Sequence, residues 1–352
     1  MPRFPMLSRR QALQATAASV VTLAVPNVAR GNPVEFVLGC NGGASYRNLY
    51  RNVLQHFEQR HNAKVVPVFG DGSALLNRAL AEKNRPSMDC FVTFQGAWLV
   101  GKAEGVLEKV DANKIPHMDD VFDFMKDPDG YAPFVNFGAW GIVYNRDTVS
   151  RPPRSFKAMW DRAFDRKVML GGVYHWQIHL AAFAYAWAGD QNRIDVAFEK
   201  VKELAPRLGG LYGLSSDTQS KFQQGIADIA PWYSYTAQRV RQLGVPVAFQ
   251  MPEEGGFIYP AAYHAVKGSQ KVDLVEKLIG TFFDPTLQPG LAQEDGFIPC
   301  NRKTVLSAAL ARELPTLAEV QSCRNWDWAL INRDQNAWLT RWNAEVRPLV
   351  RG

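Results

Sequence analysis

The sequence predicts an α/β protein of two lobes, each a central sheet with helices on both faces, joined by two crossover strands that act as a hinge. Two observations carry this expectation. In the first third of the chain a strand, a glycine-rich turn and a helix follow one another three times, the pattern of a parallel sheet covered by helices. Two long extended apolar stretches, at 131–145 and 257–266, then flank a second α/β block. Such a chain crosses twice between its lobes, so the second lobe is inserted into the first. The expected boundaries are 32–138 with 258–299 for the first lobe and 139–257 with 300–352 for the second.

The elements follow in order. Residues 34–40 form a short apolar strand, and the turn Asn41-Gly42-Gly43-Ala44-Ser45 leads out of it. Tyr46, Leu49, Tyr50, Val53, Leu54 and Phe57 then recur at spacings of three and four, the apolar stripe of a helix. Strand 64–69 is followed by Gly70-Asp71-Gly72-Ser73 and a helix through Leu75, Leu76 and Leu80. Strand 89–94 ends in Gln95-Gly96, before a helix through Trp98 and Val100. The second block has a strand at 167–170, helices at 176–188 and 196–204, a helix opened by Ser215-Ser216-Asp217, and a strand at 226–230. Segment 244–250 leads through Pro252-Glu253-Glu254-Gly255-Gly256 into the second crossing, and helices fill the C-terminal end, one of them amphipathic around Trp338 and Trp342. The chain has no internal repeat and no low-complexity segment.

Residues 1–31 read as an export signal of the twin-arginine type. Arg9-Arg10 precedes a short apolar run, 15–25, and Ala29 and Gly31 offer a processing site. The run is too short for a bilayer, which needs about 20 residues. The same residues also fit an ordinary exported leader with incidental arginines. Either way the expected location is the periplasm. The leader holds Arg3, Arg9, Arg10 and Arg30 and no acid, so the formal charge of +6 falls to about +2 without it. No basic block suits nucleic acid or anionic lipid. The remaining length is enough for two cores.

Cys40, Cys90, Cys300 and Cys323 have no paired spacing and suggest no zinc site. Cys40 and Cys90 fall at different heights in one sheet and are expected as buried thiols. Cys300 and Cys323 are candidates for a disulfide, which an oxidising compartment permits.

The segments VPVAFQMPEEGGFIYPAAYHAV and APFVNFGAWGIVYN and the turn Gly296-Phe297-Ile298-Pro299 resemble those of the type II periplasmic solute-binding proteins of ABC importers. The likeness is strongest to the spermidine/putrescine-binding branch and covers nearly all of the chain after the leader. It implies two lobes that close over a small solute and a membrane permease as partner; neither cofactor, metal nor catalysis is expected, and a monomer is expected. Trp232 and Tyr259 fall where that branch places cleft aromatics. Its carboxylates do not carry over: Ala261 stands two residues beyond Tyr259, and the stretch near Trp176 and His179 replaces the acids of the second lobe's first helix. A polyamine needs carboxylates, because a buried ammonium without a counter-charge is expensive.

Three kinds of group converge on the expected cleft. The turns at 41–45, 70–73 and 215–217 present backbone N–H groups at helix starts, a seat for carboxylate, sulfonate or phosphonate. Plain helix capping explains the same serines and aspartates. Asn41, Ser45, Ser73 and Gln95 are the candidates from these turns. Tyr174, Trp176, Trp232, Tyr233, Tyr235 and Tyr259 form the aromatic set, able to face an organic cation. Half of them are expected in the core, with Trp232 and Tyr259 foremost for the ligand; Trp140 and Tyr263 are read as hinge packing. His175 and His179 share a helix face, His179 as a ligand contact, but no nearby acid completes a metal site. Arg239 and Arg241 reach either an anion or a surface partner.

The expected ligand is therefore a small amine-containing zwitterion or organic anion, amino acid-like or an aminophosphonate. The alternatives are a polyamine, ferric iron, or catalysis by an exported enzyme. Against an enzyme, the chain has no Gly-x-Ser-x-Gly elbow, phosphate loop or His-Glu-x-x-His.

Overall fold

The computed structural model describes residues 31–172, 175–213 and 215–351. The expected leader thus lies outside the described residues except for Gly31, as does Tyr174.

Among the described residues ten strands follow in order: β1 Val34–Cys40, β2 Ala63–Phe69, β3 Cys90–Thr93, β4 Leu107–Glu108, β5 Phe134–Asn145, β6 Met169–Gly171, β7 Gly210–Tyr212, β8 Ile229–Tyr233, β9 Val247–Gln250 and β10 Phe257–Val266. The main sheet runs β2-β1-β3-β10-β5-β8, with β4 beside β10 and β9 beside β5. β1, β2 and β3 are parallel, as the repeated strand–turn–helix units require. β10 runs antiparallel to both β3 and β5. β6 and β7 form a parallel pair tied to β8 by the bridge Val168↔Ile229.

β5 is shared by both halves of the molecule. Its first half pairs with β10, from Phe134↔Ala262 to Trp140↔Phe257, and its second half pairs with β8 and β9. Eleven of its twelve residues are buried, which explains why it reads as one continuous apolar run. Trp140 sits at the changeover, opposite both Phe257 and Tyr233. This is the two-lobed α/β fold, with two long strands running between the lobes.

Helices cover the sheets. The first runs Gly43–Leu49, passes through a π-helical turn at Tyr50–Leu54 and continues as Gln55–His61, burying Leu49, Val53, Leu54 and Phe57 of the expected stripe but leaving Tyr46 half-buried and Tyr50 exposed. Helix Trp176–Ala188 is apolar on most sides because most of its residues are buried, and it ends at Gly189 in the left-handed region. Helix Ile194–Leu204 is amphipathic and buries Ile194, Ala197, Phe198, Val201 and Leu204. Among the described residues no helix is long and apolar enough to cross a membrane.

Two expectations are corrected. The strand expected at 226–230 lies at Ile229–Tyr233 and runs straight through Pro231. Proline is tolerated there because Pro231 pairs with Ile142 on one side, while on the other flank of β8 the pairing among the described residues is a bridge at Ile229. Cys300 and Cys323 form no disulfide, and all four cysteines are free thiols. Cys300 Sγ is buried 3.0 Å from the Val135 carbonyl oxygen and 2.9 Å from Gln288 Nε2, whereas Cys323 Sγ packs 3.8 Å from Met251 Sδ. Cys40 and Cys90 are buried in β1 and β3, with Cys90 level with Leu38.

Candidate functional site

Three loops that end strands β1, β2 and β3 open on the same space. Asn41, Gly42 and Ser45 come from the first, Asp71, Gly72 and Ser73 from the second, and Phe94 and Gln95 from the third. This follows from a parallel sheet, whose carboxyl ends lie side by side. Asn136 of β5, Tyr259, Ala261 and Tyr263 of β10, and His175, Tyr235, Arg239, Asp295 and Phe297 line the same space. The cavity measures about 740 Å³, the size that encloses a small molecule.

The predicted residues divide cleanly. Asn41, Ser45, Ser73, Gln95, Tyr235 and Tyr259 line this cavity. Trp232, Tyr233, Trp176 and His179 do not. Trp232 is fully buried in β8, stacked on Tyr212 at 5.6 Å, because the strand extends past Pro231 and turns this side chain into the core. Tyr233 is 1% exposed and lies beneath the cavity wall, its ring 4.8 Å from Tyr235 and 4.3 Å from Tyr259. Trp176 is buried against Trp342. His179 is fully buried, its Nε2 accepting from the Gly171 N–H at 3.1 Å with the Tyr212 hydroxyl 3.2 Å away. Tyr263, expected as hinge packing, instead lines the cavity and stacks on Phe282 at 4.8 Å. Trp140 is packed in the core as expected.

The aromatic wall is continuous. Phe94 stacks on Tyr259 with centroids 6.0 Å apart, and Phe297 packs 5.4 Å from Tyr235. Burial raises the phenol pKa of both Tyr235 and Tyr259, so both rings are neutral and present hydroxyls together with negative ring faces. His175 is neutral as well, since burial pushes its pKa down to about 3, and Tyr212 OH lies 3.4 Å from its Nδ1.

Charge enters the cavity from Arg239 and Asp71 and from Asp295, which the sequence pattern did not disclose. Asp295 lines it and is bonded to Arg239 and to Asn48. Arg239, expected on an anion or at the surface, sits in the cavity on Asp295. Asp71 also lines it, and its Oδ1 caps the Gly72–Ala81 helix by accepting from Ala74 N–H at 2.8 Å. The turn at 70–73 therefore already carries a carboxylate at its helix start. At the Gly43–Leu49 helix no side chain caps the N-terminus. Asp217 accepts from Gly213 N–H at 2.9 Å and is not among the described residues that line the cavity. Arg241 pairs with Glu313 away from the cavity. No group of three or more histidines, cysteines or acids able to hold a metal occurs among the described residues.

Two further signals mark the cavity as specialised. Gln95 (φ 53°) and His175 (φ 67°) both sit in the left-handed region that favours glycine, and both line it. Asn136, which lines the cavity, has its Oδ1 buried without a hydrogen-bond partner among the described residues, an acceptor awaiting a donor.

A sequence model of bacterial extracellular solute-binding proteins matches residues 88–329. The chain belongs to this family. As a solute-binding protein it is similar to the spermidine/putrescine-binding periplasmic protein of Escherichia coli (strain K12), 21% identical over 239 residues that cover 64% of this chain and 68% of that protein. Its fold is shared with a putative extracellular solute-binding protein from Bordetella parapertussis, at a TM-score of 0.78 and 20% identity over 89% of this chain and 98% of that one. A GABA receptor of solved structure shares it too, at a TM-score of 0.75 and 18% identity, over 88% of this chain and 97% of that one.

Proposed function

We propose that this solute-binding protein is the capture component of an ABC importer, exported to the periplasm by its twin-arginine leader, and that its ligand is a small zwitterion bearing an amine and an acid. One observation carries the ligand class: the same cavity presents a guanidinium, Arg239, and a carboxylate, Asp295, beside a wall of neutral aromatic rings. A ligand with one charge of each sign answers both. Asn136 Oδ1 adds an acceptor for an ammonium N–H, and the uncapped start of the Gly43–Leu49 helix adds donors for an acid group.

The function is binding and delivery, with no chemical step. Residues 32–138 with 258–299 and residues 139–257 with 300–352 act as the two bodies, and small dihedral changes in β5 and β10 bring them together over the ligand. The closed form is what a permease recognises.

A polyamine is the second reading. It draws on Asp71 and Asp295, two carboxylates lining one cavity, and on the sequence likeness to a spermidine/putrescine-binding protein. Thermal unfolding of the purified protein with GABA, glutamate, 2-aminoethylphosphonate, putrescine and spermidine separates the two. A ligand at a hundred times its Kd adds about 2.7 kcal/mol to stability, a shift of several degrees. Stabilisation by zwitterions supports the first reading; stabilisation by the polyamines alone replaces it with the second.

A further inference from the structure

Asp295 is the last residue of helix Gln288–Asp295, where the negative end of the helix dipole disfavours an acid. It is also buried, its side chain 6% exposed. A carboxylate kept in such a place needs strong partners, and it has two. Arg239, on helix Ser234–Gln242, donates from Nη2 to Oδ1 at 2.9 Å, and Asn48 donates from Nδ2 to the same oxygen at 3.0 Å. Neither bond uses Oδ2. The guanidinium of Arg239 is held in turn over the Tyr235 ring, 5.3 Å from its centroid, and its side chain is 31% exposed. Each charge is thus positioned by a neutral neighbour as well as by the other charge. Asn48 holds the acid and Tyr235 holds the base.

We propose that Arg239 and Asp295 set which charges the ligand must carry: its acid group docks on Arg239 and its ammonium on Asp295 Oδ2. The pair stands in for the ligand, and binding exchanges part of the protein's own ion pair for two matched contacts. A zwitterion leaves no charge unanswered. A dication brings a second positive charge beside the guanidinium, and a dianion brings a second negative charge beside the carboxylate, so each is rejected by repulsion as well as by a missing contact. This rests on the zwitterion reading above and adds the two residues that enforce it.

The test uses three four-carbon probes of similar length and different end charges: GABA, putrescine and succinate. Each is titrated calorimetrically into the wild-type protein, Arg239→Gln and Asp295→Asn. The wild type is expected to bind GABA at least tenfold more tightly than either other probe. Arg239→Gln is expected to move the putrescine-to-GABA affinity ratio at least tenfold toward putrescine. Asp295→Asn is expected to move the succinate-to-GABA ratio at least tenfold toward succinate. Arg239→Lys, which keeps the charge and perturbs folding least, is expected to keep the wild-type order. A wild type that prefers GABA while both neutral variants keep the same order overturns the role of the pair and leaves the zwitterion reading standing. A wild type that prefers putrescine or succinate overturns the zwitterion reading, and opposite shifts in the two variants then still support the pair. No binding of any probe to any of the proteins overturns both.

Discussion

The ring of Tyr235 fills the space that a side chain on Gly138 would need: a β-carbon on Gly138 would lie 2.7 Å from Tyr235 Cδ1. Gly138 is central in β5 and pairs with Tyr259 of β10, so one glycine controls where two cavity-lining aromatics meet. Gly138→Ala forces the Tyr235 ring out of place, because the strand is buried and cannot shift. The expected outcome is at least a tenfold loss of ligand affinity with a stability cost of about 1–3 kcal/mol, the usual range for overpacking. Calorimetric titration beside urea unfolding reads both; an unchanged affinity would remove Tyr235 from the binding wall.

Trp232 and Tyr259 separate stability from recognition. Trp232 is fully buried, so Trp232→Ala is expected to cost about 3–5 kcal/mol of stability. Trp232→Phe keeps most of the volume and is expected to bind ligand normally. Tyr259→Ala removes a cavity wall that stacks on Phe94 and is expected to weaken binding at least tenfold. Loss of affinity in Trp232→Phe at unchanged stability would return Trp232 to the site.

What the sequence disclosed and what it hid divide along the range of the interactions. The turns after β1, β2 and β3 were legible because a glycine-rich turn between a strand and a helix is a local pattern, and a parallel sheet then brings such turns together. Trp232 was misplaced because Pro231 reads locally as a strand end, whereas its tolerance depends on which neighbours flank β8. Asp295 stayed hidden because nothing local marks it. Its partner Asn48 lies 247 residues away in sequence, and only packing of helix Gln288–Asp295 against the first helix brings them together. The one faint signal was an acid at the end of a helix, just before Gly296, which the helix dipole disfavours. Gly296 itself is explained by contact, since a β-carbon there would lie 2.8 Å from Tyr235 Cα.

The free state of Cys300 and Cys323 has a direct readout. Protein purified without reductant and unfolded in denaturant is expected to show four titratable thiols, and its melting temperature is expected to be the same with and without dithiothreitol. Within the fold, burial raises the thiol pKa of both to about 12, so neither is expected to react quickly with a thiol reagent before unfolding. Two thiols in the denatured protein and a lower melting temperature on reduction would establish the disulfide instead.

Buried histidines make stability depend on pH in a known direction. Burial pushes His175 and His264 down to about 3, and it also lowers His179, whereas an unfolded histidine titrates near about 6.5. The unfolded chain therefore binds more protons below that value, and stability falls as pH drops. Each such histidine contributes a slope of about 1.4 kcal/mol per pH unit, beginning near pH 6.5 and ending at its folded value. Urea midpoints are expected to be flat between pH 7 and 8 and to fall steadily from pH 6.5 to 4.5, above the window in which most carboxylates titrate. His264 lies on β10 with Asp127 and Lys102 as its charged neighbours, and neither ring nitrogen has a hydrogen-bond partner, so His264→Phe is expected to flatten part of that slope. A slope unchanged by this variant would show that His264 titrates alike in the folded and unfolded chains, so that its burial carries no pH dependence.

Gln95 tests whether strain in the cavity wall serves recognition. Its φ of 53° holds a non-glycine residue in the left-handed region, at a cost of about 1–2 kcal/mol. Glycine relieves that strain and returns about 0.4–1 kcal/mol of it as extra freedom in the unfolded chain. Gln95→Gly is therefore expected to leave the protein as stable or more stable by up to about 1 kcal/mol. It also removes an amide that lines the cavity next to Phe94, so the same variant is expected to bind ligand more weakly. The two effects have opposite signs, which a general disruption of the fold cannot produce. A variant that gains stability and keeps full affinity would mean that the left-handed turn serves the path of the chain toward helix Ala97–Ala103, where Gly96 packs against Trp328, and that the Gln95 amide has no share in holding the solute.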